Sequence, residues 1–172
     1  MPVRDIDVDD VFGRDNVVRW DEPALAELGL PEDAVRVLGG VGLPRHILEG
    51  TFDAEPPVAA TGFARPGEYV RFGRCFGGSF CLDLATGEVW VMPLFSGATP
   101  GFVNSTMDTF AETLLRWYVL MVNKPQRLGP DLTIAERWGS AVEAELAAID
   151  PRAVEDDTFY GEFIADFKFG RI

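Results

Sequence analysis

The stretch from Tyr69 to Phe95 constrains the fold most. Three runs with strand-like alternation follow one another there, separated by two tight-turn signals. Tyr69–Phe76 puts Val70, Phe72 and Phe76 on one face and Tyr69, Arg71 and Cys75 on the other. Gly77-Gly78 follows, a pair that accepts positive φ at both turn positions and so suits a two-residue hairpin. Ser79–Leu84 returns with Phe80, Leu82 and Leu84 on one face. Thr86-Gly87 makes the second turn, with Asp83 placed to support it through its side chain. Glu88–Phe95 is apolar on both faces, as a strand covered on both sides is. Connections this short join antiparallel neighbours, because parallel strands need a long crossover. Val58–Phe63 adds a short strand after a break at Pro56-Pro57.

The period is helical on either side of this meander. Pro23 suits a first helical position and Gly29 an end, giving a short helix over Ala24–Leu28. Pro31-Glu32-Asp33 opens a second helix that Gly39-Gly40 stops, and Gly42-Leu43-Pro44 is a loop or turn. Ser105 can cap a later helix, with Asp108 imitating a capping box, and Phe110, Leu114, Trp117 and Met121 form its inward stripe. Thr133 with Glu136 is a capping box for the next, whose stripe is Trp138, Val142, Leu146 and Ile149. Asp150-Pro151 ends that helix, and Phe159, Tyr160, Phe163, Ile164 and Phe167 make a final aromatic one. The fold class expected is α+β, an antiparallel meander sheet flanked by helices. Residues 1–15 form an acidic lead-in, loosely attached at least through Phe12, and 16–172 a single domain.

Charge narrows the partners. Fifteen Lys and Arg against 28 Asp and Glu leave a net charge of −13. Phosphate backbones and anionic lipids repel such a chain, which argues against nucleic-acid and membrane binding. The acids sit in the flanks. Residues 1–33 hold ten acids and three bases, 34–130 eight of each, and 131–172 ten and four. The flanks serve solubility or make an acidic face for a basic partner. No apolar run reaches the ~20 residues of a membrane span, and no secretory pattern opens the chain, so a cytoplasmic location is expected.

Catalytic and metal signals are weak. His46 is the single histidine, and Cys75 and Cys81 stand at a spacing foreign to zinc and redox motifs. A nucleophile pair of Cys75 or Cys81 with His46 lacks an orienting third residue. Asp7-x-Asp9-Asp10 lacks the Gly and terminal Glu of a calcium loop. Gly73–Gly78 is glycine-rich but joins strand to strand, where a phosphate loop joins strand to helix. No catalytic residue, metal site or cofactor is expected.

Four segments, read in order, carry a family resemblance. They are Gly42-Leu43-Pro44; Phe80-Cys81-Leu82-Asp83-Leu84-Ala85-Thr86-Gly87-Glu88-Val89; Phe102-Val103-Asn104-Ser105-Thr106 before Phe110, Leu114 and Tyr118; and Ile149-Asp150-Pro151-x-Ala153 before the aromatic C-terminal segment. The set resembles the SUKH-4 group of the SUKH superfamily over roughly residues 30–165. The hairpin at Gly77-Gly78 is shorter than the family pattern, and the tail after Asp157 is more aromatic. The resemblance implies a non-enzymatic immunity protein that binds and blocks a cognate polymorphic toxin, often a nuclease or deaminase, in the cytoplasm. It supplies no catalytic residues, and Asn104, Ser105 and Asp83 keep their reading as fold residues. A nuclease must hold a polyanion, so an acidic protein can occupy its basic cleft. The residues expected to form that face are Glu155, Asp156, Asp157, Glu162 and Asp166, with the N-terminal acids as a further candidate part. Tyr160, Phe159 or Trp20 would be an aromatic anchor unless core packing takes them. The competing readings are a general interaction adaptor of the wider superfamily, a small enzyme using Cys81 or His46, and a self-associating subunit. A homo-oligomer pairing near Val58–Phe63 stays open.

Overall fold

The meander forms the middle of a larger sheet. The computed structural model describes residues 7–95, 97–125 and 132–171. A two-stranded ribbon pairs β1 (Val17–Val18) with β2 (Leu43–Pro44). Six antiparallel strands follow, each hydrogen-bonded to the next in chain order: β3 (His46–Ile47), β4 (Phe52–Ala60), β5 (Tyr69–Cys75), β6 (Gly78–Asp83), β7 (Val89–Pro93) and β8 (Gly101–Asn104). The helices are α1 (Val8–Phe12), α2 (Glu22–Glu27), α3 (Glu32–Val35), α4 (Leu48–Thr51), α5 (Met107–Val122), α6 (Leu132–Ala147) and α7 (Phe159–Lys168). The fold is α+β, as expected.

One face of the sheet meets the helices. Phe110 of α5 stands among Phe52, Phe72 and Phe80, with ring centroids 5.8, 5.3 and 5.5 Å away. Burying four rings together supplies much of the apolar driving force, and their tilted and edge-to-face geometry adds to it. The opposite face carries a smaller cluster of Tyr69, Cys81 and Met92, with Phe63 and Trp90 against it. So β7 is apolar on both faces because both are covered, as its sequence implies.

Arg65 crosses this second face. Its guanidinium pairs with Asp83 and Tyr69 and stacks 4.3 Å from the Trp90 ring centroid. Asp83 Oδ1 also accepts from Ala85 N–H (2.8 Å) and Thr86 N–H (3.4 Å), so it supports the turn as expected. Burial alone would raise the Asp83 carboxyl, but Arg65 and the two turn N–H groups hold it below its ordinary value. A depressed carboxyl stabilises the fold above its unfolded pKa of about 4 and loses that contribution as pH falls through the folded value. Arg65→Gln is therefore expected to cost about 2–3 kcal/mol near pH 7. The gap to the parent should narrow as pH falls below about 4, read by urea unfolding at about pH 7 and in acid. A gap that ignored pH would assign the contribution to the stack on Trp90 instead.

Several local expectations change. The lead-in is not loose over its described residues: the Asp7 carboxylate caps α1, Val8 is buried, and Phe12 packs 4.6 Å from the Tyr118 ring. Gly39-Gly40 do not stop the second helix. It continues from α3 as a wider turn over Arg36–Val41 and ends at Gly42, whose φ is +87°. Leu43–Pro44 is then a strand. Pro56-Pro57 lie inside β4 at a register shift between Ala54 and Val58, and the strand ends at Ala60. They are tolerated because β3 pairs only with Phe52 and Asp53, leaving that stretch of edge unpaired by β3. Thr106, not Ser105, caps α5, and its box partner is Thr109, while Asp108 pairs with Arg36. Thr133 already lies inside α6.

Candidate functional site

The predicted acids follow a sharp reversal at the end of α6. Asp150 turns the chain, Pro151 opens a single 3-10 turn over Pro151–Val154, and Glu155-Asp156-Asp157 leads to α7. Thr158 caps α7 by accepting from Gly161 N–H at 3.1 Å. A side chain on Gly161 would overlap the Glu155 carbonyl oxygen, so glycine lets the acidic loop lie against the helix start. Arg152 anchors the 3-10 turn, pairing with Glu88 and standing 3.8 Å over the Phe102 ring. The loop is thus mounted on β8 and on the turn that leads into β7.

Glu155, Asp156, Asp157 and Glu162 are exposed and make no ion pair among the described residues. Asp166 is half-buried and already pairs with Arg171 at 3.3 Å. Tyr160 belongs elsewhere. It is fully buried, with its ring 5.3 Å from Trp117, because Tyr160, Ile164 and Phe167 form the inward stripe of α7. It cannot be a surface anchor in this fold. Phe159 and Trp20 are half-buried against the same core.

The motif residues meet at Asp150. Its carboxylate is 4% exposed. It accepts from Ser105 N–H (2.6 Å), Ser105 Oγ (3.1 Å), Asn104 Nδ2 (3.2 Å) and Thr109 Oγ1 (3.3 Å). Asn104 also donates to Thr113 Oγ1 at 3.0 Å. Four donors satisfy a buried charge without a cation. The end of β8, the start of α5 and the end of α6 are joined at this point, so Asn104, Ser105 and Asp150 hold the fold together.

The nucleophile candidates do not assemble. Cys81 opposes Arg71 on the outer face, whereas Cys75 packs into the main core on the other side. Burial pushes the Cys75 thiol up to about 11 and the Cys81 thiol to about 12, away from reactive thiolate. His46 is on the edge strand β3, bonded through Nδ1 to Asp53.

One surface was not expected. Phe76 is 95% exposed, Leu94 67% and Phe95 72%, all at one end of the sheet. The sequence places Phe76 in the core, and a bulge reverses that. Arg71 opposes Cys81 and Gly73 opposes Phe80, so β5 holds one extra residue. Past the bulge the faces exchange: Cys75 turns to the core and Phe76 enters the turn, with Gly77 alone at positive φ. Gly73 was the available signal, since glycine within a strand marks a bulge or close approach. A Cβ there would lie 2.7 Å from the Phe52 ring.

The architecture is that of a single-domain α+β protein whose distinctive exposed features are an acidic loop and an apolar sheet end. The SUKH-4 immunity protein model matches residues 4–165, and the chain belongs to that family. Membership implies a cognate toxin as binding partner, in a family that is generally non-enzymatic. No curated protein and no solved structure matches the chain. Among the described residues, no helix is long and apolar enough to cross a membrane.

Proposed function

We propose that this protein neutralises its toxin in the cytoplasm by covering a basic cleft with the acidic loop before α7. The observation that carries this reading is that Glu155, Asp156 and Asp157 on the loop and Glu162 in the first turn of α7 are exposed and unpaired among the described residues. Unpaired surface carboxylates attract a basic partner over a Debye length, about 8 Å at physiological salt. Asp166 belongs to the same face, though Arg171 already neutralises it. The toxin class that fits is one that handles a polyanion, such as a nuclease or nucleic-acid deaminase, because its cleft must be basic.

The test is a growth assay with the toxin expressed beside either the parent or Glu155→Lys/Asp156→Lys/Asp157→Lys. The parent is expected to protect and the triple variant to fail while remaining folded. Full protection by the triple variant would remove this loop from the interface.

A further inference from the structure

We propose that the apolar end of the sheet docks a second copy of this chain, forming a weak two-fold dimer that salt strengthens. This goes beyond the toxin-binding reading and does not depend on it.

Three segments are fastened into one plate at that end. Phe76 N–H donates to Gly50 O at 2.7 Å, and Leu94 N–H donates to Gly77 O at 3.0 Å. The β5–β6 turn, the α4 turn and the end of β7 therefore move together. On this plate Phe76, Leu94 and Phe95 stand in solvent, with Leu48 partly exposed beside Gly50. Phe76 contributes nothing to the core, and the turn requires no aromatic there. Contiguous exposed apolar patches of this kind mark contact sites.

The rim says which partner fits. His46, Asp53 and Arg74 lie directly opposite one another across β3, β4 and β5. Arg74 Nε is 3.4 Å from Asp53 and 3.8 Å from Glu55, and Arg71 Nε is 3.3 Å from Glu55. Both signs of charge alternate right up to Phe76. A two-fold contact brings one patch against itself, so each group must find its complement within the same patch. Alternating charges meet that requirement: Arg74, Asp53 and Glu55 pair within each copy and leave the rim nearly neutral, so it does not repel its own likeness. The all-acidic loop at 155–157 cannot meet it. A basic toxin gains nothing from a balanced rim, which leaves the two surfaces with different partners.

Size sets the strength. At about 200 Å² for a free aromatic side chain, the patch offers on the order of 400–500 Å² per copy. That is below the ~800 Å² per partner of a standard stable interface, so the dimer is transient. Each copy carries −13. Their mutual repulsion weakens association at low salt, and screening relieves it.

Sedimentation equilibrium of the full chain tests this, from about 10 μM to about 1 mM in about 20 and about 300 mM NaCl. The expected Kd is on the order of 100 μM, several-fold tighter at the higher salt. Phe76→Ala/Leu94→Ala should weaken it at least tenfold with an unchanged unfolding midpoint, since neither side chain is in the core. A parent that stays monomeric at about 1 mM in both salts overturns the proposal. So does a variant that dimerises like the parent. A monomeric parent whose toxin affinity falls in the variant gives the patch to the toxin, which also overturns it.

Discussion

Asp150→Ala is expected to lower stability by about 3–5 kcal/mol. The carboxylate is 4% exposed and receives four donors from three residues. Removing the acceptor strands the Ser105 N–H and one hydrogen of the buried Asn104 amide, and takes a partner from the half-buried Ser105 hydroxyl, while Thr109 can still donate to Thr106 O. A buried donor left without a partner costs about 1–3 kcal/mol, more than the net worth of an ordinary hydrogen bond. Asp150→Asn keeps the shape but aims an amide at donors, so it should fall between the parent and Asp150→Ala. A domain of this size loses about 2–4 °C in midpoint per kcal/mol, so the Ala variant should melt about 6–20 °C early. Thermal unfolding by circular dichroism reads the shift. A loss under about 1 kcal/mol would mean that water or a rearranged loop satisfies the donors.

Glu155→Lys/Asp156→Lys/Asp157→Lys is expected to slow toxin association about 10- to 100-fold at low salt. The change moves the net charge from −13 to −7 and reverses the sign at the proposed contact. Charges at an interface rim act mainly on the encounter rate, so dissociation should change little. The salt dependence of the association rate should flatten in the same variant. Folding is nearly untouched, because the three side chains are exposed and make no ion pair among the described residues. Asp157 has φ +64°, so lysine there carries a small backbone cost that an unfolding midpoint would register. Stopped-flow association at two salt concentrations separates steering from stability. Equal rates for the parent and the triple variant would place the toxin elsewhere on the surface.

Alternation made the sheet legible. Val70, Phe72, Phe80 and Leu82 face the core as their period-two spacing requires, and Asp83 holds its turn. The period fails where backbone geometry changes silently. One extra residue in β5 exchanges the faces of Cys75 and Phe76, and Gly73 is its sole trace in the sequence. The extra residue also moves the turn to Phe76-Gly77, since Gly78 already pairs with Cys75. Gly39 and Gly40 mislead for a related reason. A stop and a close approach both need glycine, and here Glu22 of α2 packs where a Cβ at Gly39 would go.

The candidate surface was legible in its charge and not in its anchor. The acids lie outside, as solvation favours. Tyr160 follows the inward stripe of α7, which the aromatics on both sides of the stripe, Phe159 and Phe163, hide in the sequence. The Asp150 knot could not be seen from spacing, since its donors lie 41 to 46 residues away in sequence.

The most direct measurement is capture of the partner on the tagged full chain, from a lysate of cells that make it, washed first at low and then at high salt. The account predicts a basic protein that arrests growth when expressed alone and leaves the chain as salt rises. A toxic partner of near-neutral charge that stays bound through the high-salt wash would contradict electrostatic capture by the acidic loop.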